Sequence, residues 1–353
     1  MSETVSDATP VRTTDRAVAY WLLCVFGLIA IMVVVGGTTR LTQSGLSMVT
    51  WKPVTGLLPP LNHAEWIAAF DEYKQFPQYQ KTFAGMTLEE FKGIYFWEYV
   101  HRVFGRVIGL AFFVPWLFFV IRKKMSRSMT GLTAIAFVLG GLQGALGWYM
   151  VKSGLIDNPA VSHYRLAAHL CLAFTVAMYV LWLALSILRS GTQEGNRLAR
   201  NLGIAFGLFV VVQIMYGAFM AGTRAGYLYQ TFPTFNGAWF PDSALTASPW
   251  WLNLFENLNM LNFIHRSLGW VLVGAGVALA LYGLRHAQTS RQKRVSGTII
   301  AIVAAQFLLG VFVVLAPGVP AALGVAHQFG AFVLLATTVV FVHAFTAYSD
   351  AAA

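Results

Sequence analysis

Charge is what this sequence has least of. Only 11% of its 353 residues are Asp, Glu, Lys or Arg, while 57% are hydrophobic. That balance excludes a soluble domain of this length. Uncharged runs recur at close to the ~20 residues needed to cross ~30 Å of hydrocarbon. Eight spans are read at 19–38, 99–121, 130–150, 162–188, 201–222, 261–284, 297–316 and 322–347. The first lacks a small-residue cleavage pattern and is followed by matching runs, so it reads as a span and not as a signal peptide. Cysteine is nearly absent. Cys24 and Cys171 both fall inside predicted spans, which excludes a disulfide outside the membrane and leaves them as small apolar packing residues.

Acid is scarce where base is plentiful. Arg122, Lys123, Lys124 and Arg127 follow the second span, Arg189, Arg197 and Arg200 the fourth, and Arg285, Arg291, Lys293 and Arg294 the sixth, with Glu194 the one acid among them. Short basic connections stay cytoplasmic, so both termini are expected inside and the connections at 39–98, 151–161, 223–260 and 317–321 outside. The net charge of +10 therefore reports topology, and no nucleic-acid partner is implied.

Within this apolar background, four markers occur twice in the same order. Thr39-Arg40 matches Thr223-Arg224, and His101-Arg102 matches His265-Arg266. "QGALG" from Gln143 matches "QFLLG" from Gln306, and His169 matches His327. The expectation is an all-α integral membrane protein. Its eight transmembrane helices form two four-helix bundles, 1–190 and 195–353, related by a pseudo-twofold axis along the membrane normal. The outer loops differ. The first carries two helix starts with capping-box spacing, Asn62 with Glu65 and Thr87 with Glu90. Trp66, Ile67, Phe70 and Tyr73 then recur at helical spacing, as expected for a helix that lies on the membrane surface or lids a site. Loop 223–260 is rich in Trp, Phe, Pro and Asn and reads as an ordered aromatic cover.

Four of the eight histidines obey the repeat. His101, His169, His265 and His327 all lie near the outer ends of their spans, two in each half. Paired imidazoles on facing helices are how bundle cores hold cofactors, and ionisable groups inside a membrane default to function. Zinc requires three or four protein ligands, and no Cys or carboxylate cluster supplies the remainder. Two facing imidazoles suit the iron of a haem, and Arg102 and Arg266 lie where its propionates would point. His63, His286 and His343 read as surface residues, and His163, six residues before His169, falls on a different helical face.

The halves differ at one chemical position. Glu98 stands three residues before His101, on its helix face, and Asn262 stands three before His265. A carboxylate in one unit only points to a reaction site in the first half, with Glu98 as proton donor or acceptor or as a group that orients a ligand. The second half would hold a resident electron-transfer haem.

At "EYVHR" (98–102), "FIHRSLG" (263–269), His169, His327 and the eight-span repeat, the chain resembles the haem A synthase family of bacterial and mitochondrial membranes. The resemblance covers nearly the whole chain. It implies an oxidoreductase that converts the C8 methyl of haem O to a formyl group by successive hydroxylations, giving haem A for terminal oxidases. His101 and His169 would flank the substrate haem with Glu98 beside it as the essential carboxylate, making these the catalytic residues. His265 and His327 would ligate haem b. Some bacterial members have a cysteine pair in the first outer loop. This chain has none and looks closer to the cysteine-free form of proteobacteria and mitochondria. The implied setting is a bacterial inner membrane, with the haem O-forming farnesyltransferase and cytochrome oxidase assembly factors as partners. A homo-oligomer is compatible with it. The rival readings are a dihaem b-type electron carrier, whose haems would stack toward opposite faces, and a transporter with a polar midplane site.

Overall fold

The computed structural model describes residues 13–50, 58–154, 161–189 and 192–348. The chain ends, and most of the expected outer connection at 151–161, lie outside them. The described residues form ten α-helices: α1 (Thr13–Leu41), α2 (His63–Lys74), α3 (Pro77–Thr82), α4 (Leu88–Ile121), α5 (Arg127–Gly154), α6 (His163–Leu188), α7 (Arg197–Thr223), α8 (Leu258–Arg285), α9 (Ser290–Leu315) and α10 (Ala321–Ala344). Two short 3-10 turns, Ala225–Tyr227 and Trp250–Leu254, lie in the connection between α7 and α8. Among the described residues, eight helices are long and apolar enough to cross a membrane, namely all except α2 and α3. In hydrocarbon every backbone amide must be satisfied within its own segment, which is why apolar runs of this length settle as helices. The chain is a multi-pass membrane protein.

The spanning helices pack as two rings. In one, α1 contacts α4 and α6, and α5 contacts α6; in the other, α7, α8, α9 and α10 each contact the next, and α10 closes on α7. The rings meet through α1, α6, α7 and α10. Their shared core includes Phe174, Phe332, Leu22, Val180 and Ile299, all essentially buried, with Phe174 edge-on to Phe332 at 5.2 Å. At the end of the bundle that carries the long loops, two arginines cross between rings. Arg40 donates to the carbonyls of Ala221 (2.7 Å) and Gly222 (3.2 Å), and Arg224 donates to Gln43 Oε1 (2.5 Å).

The second span begins well before residue 99. Thr87 and Glu90 form the expected capping box, with Thr87 N–H to Glu90 Oε2 at 2.8 Å and Glu90 N–H to Thr87 Oγ1 at 3.3 Å. The helix they start, α4, runs for 34 residues. At 1.5 Å per residue that is ~51 Å, far more than a bilayer core requires. Glu98 and His101 thus sit inside a continuous helix, three to four turns beyond its start. The surplus turns give α2 something to dock on. Phe70 and Tyr73 of α2 are buried against Phe91 and Tyr95 of α4, with Phe70–Phe91 and Tyr73–Phe91 stacked at 5.0 and 5.1 Å. Trp66 packs edge-on to Tyr95 at 5.0 Å, whereas Ile67 is exposed and leaves the stripe. The apolar stripe expected for a membrane surface is therefore spent on α4. Burial raises the Tyr73 phenol well above its ordinary pKa, and its hydroxyl donates to Gln78 Oε1 at 3.0 Å.

Candidate functional site

Each of the four repeat-related histidines lies over a glycine on the preceding spanning helix. A Cβ on Gly36 of α1 would come 3.1 Å from Cε1 of His101, and one on Gly147 of α5 would come 3.0 Å from Cε1 of His169. The corresponding distances are 3.1 Å for Gly217 of α7 to His265 and 2.9 Å for Gly310 of α9 to His327. A side chain at any of these positions would crowd the imidazole, which would have to give by some tenths of an ångström. Four residues before three of those glycines stands a glutamine that holds the histidine's own backbone. Gln143 Nε2 donates to the His169 carbonyl at 3.0 Å, Gln213 to that of His265 at 2.9 Å, and Gln306 to that of His327 at 3.0 Å. The exception is α1, where Met32 occupies the glutamine's place and its methyl would lie 3.6 Å from a Cβ on Gly105.

His265 and His327 face each other with ring centroids 6.3 Å apart and planes at 81°. Two imidazoles bonding one metal ion from opposite sides, at a metal–nitrogen distance of about 2 Å each, place their centroids about 6 Å apart. The Nδ1 atoms of His101, His169 and His265 are buried without a hydrogen-bond partner, as are Nε and Nη1 of Arg266. Buried polar atoms are ordinarily satisfied. A set of imidazole nitrogens and guanidinium donors left over on helices of both rings therefore fits a haem, whose iron would take imidazoles and whose propionates would take the arginine. His101 and His169 lie close enough to interact electrostatically. No group of three or more His, Cys, Asp or Glu side chains able to hold a bare metal ion occurs among the described residues.

The two His-Arg pairs share a further task. Arg266 donates through Nη2 to the carbonyls of Thr231, Pro233 and Thr234 at 2.8, 3.0 and 3.2 Å, and its guanidinium lies 4.1 Å from the Phe235 ring centroid. Arg102 donates to the Met48 carbonyl at 2.7 Å and the Thr50 carbonyl at 3.3 Å. Each arginine thereby draws its own long loop down beside its histidine. Glu98 completes the first of these clamps. Its side chain is 3% exposed and accepts from Ser47 Oγ (2.7 Å), the Met48 amide (2.8 Å) and Arg102. Asn262, the residue at the matching place, donates from Nδ2 to the Ala225 carbonyl at 2.9 Å.

The remaining histidines fall elsewhere. His63 and His286 are exposed, as expected. His163 turns away from the paired imidazoles: its Nε2 lies 3.0 Å from the Phe255 carbonyl and its ring packs edge-on to Phe219. His343 is no surface residue. It is 1% exposed, with Nδ1 3.1 Å from Arg291 and its ring 5.2 Å from Trp182. Sequence reading noticed the glutamines of α5 and α9 but missed the third, in "QIMYG" at 213–217, and missed what the glycines do. A search for Gln-x-x-x-Gly would have found all three.

Comparison with known proteins gives this geometry a context. Residues 19–339 match the model of the family described as cytochrome oxidase assembly protein, COX15-CtaA. A heme A synthase of Nitrosospira multiformis is 43% identical over 327 residues, 91% of each chain. A heme A synthase of Parvibaculum lavamentivorans is 44% identical over 329 residues, 93% of this chain and 94% of its own. One from Flavobacterium psychrophilum is 42% identical over 336 residues, 94% of this chain and 99% of its own.

Proposed function

Because the chain belongs to the COX15-CtaA family of cytochrome oxidase assembly proteins, we propose that it is a haem A synthase. In this reading it is an oxidoreductase of the bacterial inner membrane that oxidises the C8 methyl of haem O to a formyl group. Residues 1–190 form the unit that takes haem O as substrate, and residues 195–353 form the unit that holds haem b, related to the first by a pseudo-twofold axis. The observation that carries the reading is the pair His265 and His327, facing at 6.3 Å with no protein partner for the buried Nδ1 of His265. When bound there, haem b supplies a redox centre that accepts electrons from the neighbouring unit. Arg266 has two buried donors for one of its propionates.

In the first unit His101 and His169 are assigned to the iron of haem O, which fixes the C8 edge with respect to the protein. Among the described residues Glu98 is the one carboxylate placed beside them, three residues before His101 on its helix face, where it can hold or pass a proton at its carboxylate oxygens. Its bonds to Ser47, Met48 and Arg102 also keep the first loop closed over the site and so exclude water. All four histidines lie at the long-loop end of the bundle, which opposes the rival dihaem carrier, whose haems must conduct between faces. The basic connections at 122–127, 189–200 and 285–294 support a topology with both termini in the cytoplasm and the histidines near the outer face. A farnesyltransferase that makes haem O acts before it.

The test is expression in cells that make haem O and lack a haem A synthase, followed by haem extraction and chromatography. Haem A is the expected new species. Haem O alone, with the protein present in the membrane and loaded with haem b, would overturn the assignment.

A further inference from the structure

The two rings differ in one respect that the reaction does not account for. The helices that carry the first histidine and the following glutamine, α8 and α9 in the second ring, are packed along their lengths. A Cβ on Gly276 would meet Val303 at 2.8 Å, and one on Gly283 would meet Ser296 Oγ at 2.4 Å. Toward the histidines, Trp270 lies 4.6 Å from Phe307, and Phe232 of the long loop covers both at 5.7 and 6.0 Å. In the first ring α4 and α5 touch over a short stretch only. Aligning His101 with His265 puts Phe112 and Phe119 where α8 has Gly276 and Gly283. Both rings contact Trp21 of α1, at 4.9 and 5.6 Å, and Phe112 also stacks on Phe137 of α5 at 5.9 Å. What joins α4 to α5 is a patch near their connecting turn: Phe113 and Trp116 stack on Phe137 at 5.4 and 6.1 Å, and Trp116 Nε1 donates to Thr133 Oγ1 at 3.0 Å.

Toward the histidines no aromatic pair closes the seam among the described residues. Arg106 stands where α8 has Trp270, and Gly144 stands where α9 has Phe307. A Cβ on Gly140, Gly141 or Gly144 would meet nothing within 4 Å. Among the described residues, the aromatic contacts that join the two helices gather at the turn end, and none of them lies at the level of His101 and His169.

We propose that this seam between α4 and α5 is the lateral doorway and seat for the isoprenoid tail of the substrate porphyrin, which enters the first unit from the bilayer. The inference rests on the haem O reading of that unit. A long apolar chain loses little by moving from lipid into a lipid-facing seam, whereas entry from the aqueous side would draw it through water at ~0.8 kcal/mol per CH₂. A resident haem needs no doorway, and the second ring has its seam shut by Trp270, Phe307 and Phe232.

The test closes the doorway with the second ring's own residues. Wild type, Gly144→Ala and the double variant Arg106→Trp/Gly144→Phe are purified with haem b bound and mixed with liposomes containing haem O. Haem O uptake is followed by absorbance and by extraction. The expected result is that the double variant keeps full haem b but loses uptake by on the order of tenfold or more, while Gly144→Ala behaves as wild type. Wild-type uptake and conversion by the closed variant would overturn the doorway and leave the haem O reading standing. A wild type that takes up no haem O would sink the reading and the doorway together. Should the double variant fold poorly, Gly144→Cys in a Cys24→Ser/Cys171→Ala background gives a second measure. Its labelling by a lipid-soluble maleimide should be slowed by haem O and not by tail-less haem b; equal rates in all cases would contradict the proposal.

Discussion

At His327 three neighbours settle where one imidazole stands: Gly310 leaves the space, Gln306 holds the backbone, and His265 faces it across 6.3 Å. Glutamine is the adjustable member, because it touches the histidine without being a ligand. Partners of this kind cost ~10–100-fold in affinity when removed. Gln306→Leu is therefore expected to lower haem b affinity by about tenfold, read by haem titration of the stripped protein. Unchanged affinity would show the amide to be a packing group. Glu98 makes a different prediction. Its removal leaves Arg102, whose side chain is 10% exposed, without its charge partner. Breaking a buried pair from one side costs ~3–5 kcal/mol. Glu98→Ala should thus unfold at lower temperature than Glu98→Gln, which keeps the contacts to Ser47 and the Met48 amide in shape, while both lose haem A formation. The histidines, the arginines and Glu98 were legible in the sequence because ionisable groups are conspicuous in an apolar run. The glycine seats were not, since a glycine in a spanning helix carries no sign of which imidazole faces it.

Helices were legible as apolar runs, and their ends were not always so. The hydrophobic run of α4 begins near residue 99, but the helix begins at Leu88, because the capping box at Thr87 and Glu90 starts it above the membrane. Both caps were readable; that one continuous helix would join cap to span was not. Packing between helices was the least legible property. Gly276 and Gly283 let α8 lie on α9, whereas the aligned Phe112 and Phe119 put bulky rings against Trp21, with Phe112 also stacked on Phe137 of α5. Repeat alignment gives the correspondence of these positions but not the distance between their helices. Gly276→Phe would bring a ring against Val303 and Phe206. Overpacking of this kind typically costs ~1–3 kcal/mol. We expect it to part α8 from α9 and lower the haem b content of the purified protein while the chain still inserts. Retention of full haem b would mean that the second ring tolerates an open seam.

Over the whole molecule, two rings of four helices put four imidazoles at the long-loop end, and the differences that bear on the two sites are Glu98 against Asn262, Met32 against three glutamines, and Arg106 and Gly144 against Trp270 and Phe307. The eight spans and the doubled order of markers were legible because length and repetition survive without knowledge of packing. The crossing of Arg40 and Arg224 between rings was not, since each pairs with a residue 181 positions away. The topology makes its own prediction. A single cysteine placed at Ser126 or Gln288 should resist a membrane-impermeant maleimide added outside, and one at Ala84 should react. The opposite pattern would invert the protein. The central claim is a division of labour between the rings, and it is tested most directly by the haem composition of purified wild type, His101→Ala and His265→Ala from cells supplied with haem O. The expected result is that His101→Ala keeps haem b and forms no haem A, whereas His265→Ala loses haem b itself. If His101→Ala loses haem b while His265→Ala retains it, the roles of the two rings are reversed and the account is wrong.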